Sequence, residues 1–423
     1  MIPELKALDG SNSFIRIAFQ QDIPVTPRVL RLVDSVPFQR LKSIPQLGFV
    51  RTVYPSATHT RFEHSLGVYH LALRFIRHFQ ASDEFTSAFS SEQIELFILA
   101  ALLHDIGHWP YCHPMEDMGL PQFPHHEDFA SEALHTEELC NLLRTDWHLE
   151  PTDIIQFLSG KHQEPSIQFL QSLLSSPIDI DKLDYLQRDS LHAGVPYGRN
   201  FDSNRLINGL RFLPDSHELL ISNKALTAAE MMVFARYVMF SEVYWHRTVR
   251  SATAMLQRLV YRSREQSEIT SQLFSSTEPA FQALLSKHDE AGIAEALFGP
   301  RRCLYKSIFE SNAVSDPEVY RLAASHSFTD LVFASERLAH ALGLDSEHVL
   351  IDAAPQQLEV QFDIDVIDEK KDQRQPLSEA SPVVKALATD QFDHHVKRLR
   401  VFVPKEQRTL ELPRNLLVDA LSR

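Results

Sequence analysis

From about residue 61 to residue 189, apolar side chains recur at helical rather than strand spacing, and this periodicity commits the histidine-rich part of the chain to packed helices. Leu66, Tyr69, His70, Leu73 and Ile76 mark one face of a first helix; Ile94, Phe97, Ile98, Ala101 and Leu102 mark one face of a second. Ser90, with Gln93 three residues on, has the form of a capping box, and Gly107 followed by Pro110 predicts the stop. His104 and Asp105 therefore fall on the last turn of the second helix. Further helices are expected at about 128–144, 152–159, 166–174 and 179–192, with a long one over about 226–264. Residues 211–222 read as a hairpin around Pro214 and Asp215.

Towards the C-terminus the pattern changes. Residues 358–367 alternate apolar and polar, 398–403 form a second strand candidate, and the polar segment 368–380 reads as a solvated loop. The expected fold is mainly α: a helical body over 1–325, whose motifs lie within 33–250, and a small α+β appendage over 326–423. Only 12 of 423 residues are glycine while 44% are hydrophobic, which excludes collagen-like and disordered chains.

A formal charge of −15 argues against broad attachment to nucleic acid or anionic membrane, so nucleic acid is not indicated as a partner, though a local basic pocket stays open. The longest strongly apolar stretch, Leu96 to Leu103, is far short of the ~20 residues that span a bilayer, and no basic segment followed by an apolar one opens the chain. Cys112, Cys140 and Cys303 show no CxxC spacing. A soluble, cytoplasmic protein is expected.

The chemistry is concentrated in His59, His64, His104, His108, His113, His125 and His126. Neutral imidazoles are common ligands of divalent metals, and carboxylates complete such sites. Adjacent helical residues such as His104 and Asp105 point about 100° apart, yet their side chains can converge on one ion between helices. His64, on the preceding helix, and Asp181, in the acidic segment DIDKLDYLQRD, can close the ring. Two imidazoles and two carboxylates leave positions open for water or a substrate oxygen.

An HD dipeptide alone is commonplace; its order and context are not. HTRFEHSLGVYHLA, AALLHDIGHWPYCH, HHEDFASEAL and DIDKLDYLQRDSLHAGVPYG resemble the HD superfamily of metal-dependent phosphohydrolases, specifically its deoxynucleoside triphosphate (dNTP) triphosphohydrolase branch, and the similarity runs from 33 to at least 250. The resemblance implies an HD-domain helical bundle and one divalent metal ion (Mn, Fe, Co, Ni, Zn or Mg) on His64, His104, Asp105 and Asp181. It implies His113 as general acid, with Glu116, His126 and His108 beside it. Arg61, Lys182 and Tyr185 match phosphate-contacting positions, Gln46 and Leu47 a pair near the sugar, and His246 and Arg247 residues lining the nucleotide pocket. The expected reaction releases triphosphate from a dNTP.

Two departures bear on the substrate and its control. Arg250 stands where nucleotide enzymes of this branch can carry a tyrosine near the deoxyribose. Asp34 and Gln39 match positions used for guanine-nucleotide activation in some relatives, but Lys42 replaces an arginine there, and a point charge cannot reproduce a guanidinium fork. Competing readings are hydrolysis of another nucleotide or phosphoester, a nucleotide-sensing scaffold with vestigial catalysis, and an HD-type oxygenase using His108 and His126 as added ligands. Relatives are commonly homo-oligomers, which is expected here too; Met231, Met232, Phe234 and Met239 on the long helix suit either core or interface.

Overall fold

The computed structural model describes residues 2–273, 275–354 and 364–422. The first two predicted helices are α1 (Arg61–Phe79) and α2 (Ser91–Leu103). In α2, Ile94 and every residue from Leu96 to Leu103 are buried, as befits a helix enclosed on all sides. Each large apolar side chain so buried contributes roughly 1.5–3 kcal/mol. The capping box forms, with Gln93 N–H donating to Ser90 Oγ at 3.2 Å and Ser90 N–H to Gln93 Oε1 at 2.9 Å. α2 closes at Leu103 with His104 as its cap, so His104 and Asp105 sit at its exit.

Two short helices follow, α3 (Cys112–Glu116) and α4 (His126–Leu134), and then α5 (Ile180–Ala193), which packs on α1. The single helix expected over 128–144 is interrupted: Thr136 takes an extended backbone and caps a separate helix, Glu137–Leu142. Helices Pro151–Leu158 and Pro165–Leu174 occupy the expected positions.

The hairpin forms as β1 (Leu210–Leu213) against β2 (Glu218–Ser222). The long helix does not run through. It divides into α6 (Leu226–Met239), a wide turn over Phe240–Tyr244, and α7 (Arg247–Ser263), with Trp245 non-helical between them. No proline or glycine marks the break. His246 opens α7 with a non-helical backbone, and its Nδ1 accepts Thr248 N–H at 3.1 Å, an N-cap made by an imidazole. On α6, Met232 and Met239 are core, whereas Phe234 is 39% exposed.

The C-terminal region contributes β3 (Lys306–Asn312), α8 (Pro317–Ala324), α9 (Phe328–Leu342), β4 (Leu350–Asp352), β5 (Asp365–Asp368), β6 (Gln373–Pro376), β7 (Arg398–Val403) and α10 (Arg414–Leu421). One antiparallel sheet has the order β3-β7-β4, with α8, α9 and α10 sharing a second apolar core against it. A second sheet, β1-β2-β5-β6, joins β5 parallel to the hairpin strand β2 and so ties the C-terminal region to the helical body. Most of the 358–367 strand candidate lies outside the described residues; its last three residues open β5. The segment 368–380, expected as a loop, contains β6 and the buried Leu377, a strand hidden from pattern reading because all four of its residues are exposed. No helix among the described residues is long and apolar enough to cross a membrane.

His70 on α1 donates from Nδ1 to Gln20 Oε1 at 3.0 Å; burial, reinforced by Arg74, pushes its pKa from 6.5 down to about 4. Between those values the unfolded chain binds a proton that the folded chain refuses, so stability falls as pH drops through that window, by at most about 1.4 kcal/mol per unit. His70→Gln removes the titrating group. The destabilisation it causes at pH 7 is expected to shrink by up to about 2 kcal/mol at pH 5, read from denaturant midpoints at both pH values. A pH-independent difference would mean that folded His70 protonates freely.

Candidate metal centre and adjoining cavity

α1, the exit of α2 and the first turn of α5 converge on one point. His64 Nε2 lies 3.2 Å from His104 Nε2, 3.0 Å from Asp181 Oδ1 and 3.8 Å from Asp105 Oδ2; His104 Nε2 lies 3.4 Å from Asp105 Oδ1 and 3.9 Å from Asp181 Oδ1. The far nitrogens settle the tautomers. His64 Nδ1–H donates to Asp184 Oδ2 at 2.8 Å and His104 Nδ1–H to the Ala101 carbonyl at 3.0 Å, leaving both Nε2 atoms with lone pairs facing inward. Four acceptors aimed at one another repel unless a cation or proton lies among them. The electrostatics agree: burial alone would lower the His64 pKa, but Asp181, Asp184 and Asp105 raise it to about 10, so the ring favours positive charge. N and O donors at these separations suit a divalent ion at the usual ~2.0–2.2 Å.

Sequence reasoning missed what holds His64. Asp184 is fully buried and accepts Arg188 Nε at 2.8 Å, Arg188 Nη2 at 2.7 Å and Gln20 Nε2 at 2.7 Å, while Arg188 Nη1 donates to Glu63 at 2.8 Å. Against the cost of burial, Arg188 and His64 hold the Asp184 pKa down to about 2. Gly67, one turn after His64, makes the room: a Cβ there would lie 2.0 Å from Asp184 Oδ1. The signal was present in the helical spacing of Asp181, Asp184 and Arg188.

A second cluster adjoins the first through Asp105. His108 is buried, its Nδ1 3.2 Å from Asp105 Oδ1 but outside hydrogen-bonding geometry, and its ring lies 3.9 Å from that of His126. Glu116 receives His126 N–H at 2.6 Å and meets His126 Nδ1 at 2.9 Å and His113 Nδ1 at 3.2 Å. These partners overcome burial, depressing the Glu116 pKa and raising that of His126. His113 is 57% exposed, so one imidazole of the cluster reaches solvent. Gly107 permits the approach, since a Cβ there would lie 2.1 Å from the His126 carbonyl. Tyr111, left-handed at φ 59°, sets the start of α3; it stacks on Phe49 at 4.8 Å and donates to Glu278 at 2.6 Å. Cys112 is buried, and burial pushes its thiol pKa up. Its sulfur and one ring nitrogen from each of His108, His113 and His126 lie within 4.8 Å of one another.

A cavity of about 440 Å³ opens beside these groups. Gln46, Leu47, Arg61 and His113 line it, as do Tyr111, Phe240, Tyr244, Trp245 and Arg250. Lys182, Tyr185, His246 and Arg247 do not. Arg61 donates to Asp105 Oδ2 at 2.8 Å, and Lys182 donates to Asp179 Oδ2 at 2.6 Å. Tyr185 lies 6.4 Å, ring to ring, from Tyr244; Arg247 is exposed. Arg250 is clamped by Asp352 of β4, with Nε at 3.1 Å and Nη2 at 2.5 Å, and lies 4.5 Å over the Trp245 ring. Away from the cavity, Lys42 donates to Gln39 Oε1 at 2.7 Å and lies over Phe62, while Asp34 caps the end of a short helix.

Residues 61–189 match the HD domain family, and residues 201–412 match the HD associated region. An uncharacterized protein of Methanocaldococcus jannaschii is 28% identical over 97% of this chain and 83% of its own length. The deoxynucleoside triphosphate triphosphohydrolase SAMHD1 homolog of Dictyostelium discoideum is 29% identical over 58% of this chain; this chain spans 48% of that protein. A crystal structure of a hypothetical protein from Aquifex aeolicus superimposes with a TM-score of 0.73 at 27% identity, covering 97% of this chain and 99% of its own.

Asp184→Asn is expected to weaken divalent-metal binding roughly 10- to 100-fold, because the His64 tautomer loses its anchor. His113→Ala should leave metal content unchanged. Elemental analysis after dialysis against graded metal concentrations reads both, and loss of metal in the His113 variant would make that residue a ligand.

Proposed function

The chain belongs to the HD-domain family, and on that premise we propose that it is a metal-dependent phosphohydrolase that cleaves dNTPs to deoxynucleoside and triphosphate. The observation that supports this most directly is the gathering of His64, His104 and Asp105 within 4.8 Å of one another, with Asp181 3.0 Å from His64 and 3.9 Å from His104, next to a cavity that receives Arg61 and His113. A divalent cation on these four side chains would supply an activated water and neutralise charge on a phosphoryl oxygen. Arg61 and Lys182 orient the phosphates, whose charge the acidic chain as a whole repels. His113 delivers a proton to the leaving oxygen, and Glu116 holds that imidazole in place. Gln46, Leu47 and the aromatic wall seat the nucleoside, while His246 and Arg247, off that wall, make no contact the reading depends on.

A second reading, hydrolysis of another nucleotide or phosphoester at the same centre, draws on Arg250: a clamped hydrogen-bond donor in the cavity wall favours a substrate presenting an acceptor there. A cytoplasmic homo-oligomer belongs to the leading reading; the exposed Phe234 is an apolar group available for assembly, and light scattering at micromolar concentration is expected to give a multiple of the 48.4 kDa chain mass.

The deciding experiment incubates the protein and Mn²⁺ with the four dNTPs, the four ribonucleoside triphosphates, and mono- and diphosphates, separating the products. Triphosphate is expected from dNTPs. Orthophosphate, or turnover confined to another class, would select the second reading, and no turnover would select the scaffold. Asp105→Ala should abolish activity with a cooperative melt retained. His113→Ala should cost about 10²–10⁴ in kcat.

A further inference from the structure

Part of the network behind His64 comes from outside both family matches. Two antiparallel strands, Phe14–Ile17 and Gln21–Pro24, form a ribbon paired from Ile17 opposite Gln21 out to Phe14 opposite Pro24; the HD match begins only at residue 61 and that of the HD associated region at residue 201. At the tip Phe19 is left-handed, φ 71°, and Gln20 N–H donates to the Ala18 carbonyl at 2.9 Å, a tight reversal. This tip grips the two helices that carry His64 and Asp181. Gln20 Nε2 donates to Asp184 Oδ1 on α5 at 2.7 Å, Gln20 Oε1 accepts His70 Nδ1–H on α1 at 3.0 Å, and the Ala18 carbonyl accepts Arg188 Nη1 at 3.2 Å. The His70 bond fixes which end of the carboxamide faces Asp184. Asp184 then receives two donors on each oxygen: Gln20 and Arg188 Nη2 on Oδ1, His64 and Arg188 Nε on Oδ2. A buried carboxylate so loaded cannot rotate without giving up a bond, so Oδ2 stays on the His64 ring and keeps its proton on Nδ1.

We propose that Gln20 is a positioning residue of the metal centre: its carboxamide, delivered by the ribbon, locks Asp184 and through it the His64 imidazole, so that chain preceding the HD domain is part of what binds the metal. The inference rests on the metal-dependent reading of that centre and deepens it. Gln20 does not line the cavity; it acts through Asp184.

The test is uptake of Mn²⁺ by the metal-stripped protein, read by equilibrium dialysis and elemental analysis, with thermal melts alongside. Gln20→Met keeps the length of the side chain and removes both of its hydrogen bonds; it is expected to weaken Mn²⁺ binding about tenfold with a cooperative melt retained. Asp22→Asn is the control. It breaks the exposed Arg16–Asp22 pair of the same ribbon, and its Mn²⁺ affinity should equal that of the parent. Loading with Co²⁺ reads the ligand arrangement itself: the visible absorption bands should shift in Gln20→Met and stay in place in Asp22→Asn. If the Met variant does not fold, Gln20→Asn, whose carboxamide is one carbon short of spanning Asp184 and His70, serves instead with the same expected loss. Parent-like Mn²⁺ affinity or parent-like Co²⁺ bands in a folded Gln20 variant overturn the proposal. So does an equal loss in Asp22→Asn, which would assign the ribbon to general packing. A parent protein that takes up no divalent metal overturns the metal-dependent reading itself, a result distinct from any difference between parent and variant.

Discussion

Asp184, shut away from solvent between α1 and α5, accepts hydrogen bonds from His64, from Nε and Nη2 of Arg188 and from Gln20, and the arrangement of the metal ligands follows from that contact. A buried carboxylate stripped of one partner is left as uncompensated charge, a loss on the order of 3–5 kcal/mol. The network therefore holds α1 and α5 at one separation and one rotation. His64 and Asp181 lie on its two sides, and Gly67 is the small residue that lets the helices come so close. Arg188 continues to Glu63 and so returns to α1, closing a loop of charges that leaves His64 with one available nitrogen.

Around that anchor, two clusters of similar composition have been given different environments. The inner one gathers lone pairs on a point enclosed by protein. The outer one, built on the loop after His104, sets Glu116 between His113 and His126 and exposes His113. Asp105 touches both and also receives Arg61. The left-handed Tyr111 and the close packing at Gly107 bring the outer cluster back over the exit of α2, where an ordinary helix continuation would carry it away.

The break between α6 and α7 shapes the cavity. Phe240 and Tyr244, within the wide turn, Trp245, just after it, and Arg250, beyond the His246 cap, all line the cavity wall. Arg250 then reaches Asp352, so a strand of the C-terminal sheet supports a wall of the main cavity. This break was not legible from residue pattern, because the segment keeps its apolar spacing and has no glycine or proline to interrupt it. The strand β6 was missed for a related reason: exposed on both faces, it lacks the alternation that marks a half-buried strand. Where burial imposed a period, as in α1, α2 and α5, the elements were readable to within a few residues.

The amino-acid sequence by itself determined the helical class of the body, the ends of α2 through its capping box, and the donors that converge on the candidate metal centre, since helical periodicity and side-chain chemistry are local properties. Tertiary structure alone decided that Asp184 rather than a nearer acid anchors His64, that Arg61 and Lys182 rest on carboxylates, and that Lys182, Tyr185, His246 and Arg247 stay off the cavity wall. The reason is geometric: a 3.6-residue period states which side chains share a face, but the distance and rotation between helices are set by close packing and by the pairing of buried charge among residues far apart in the chain.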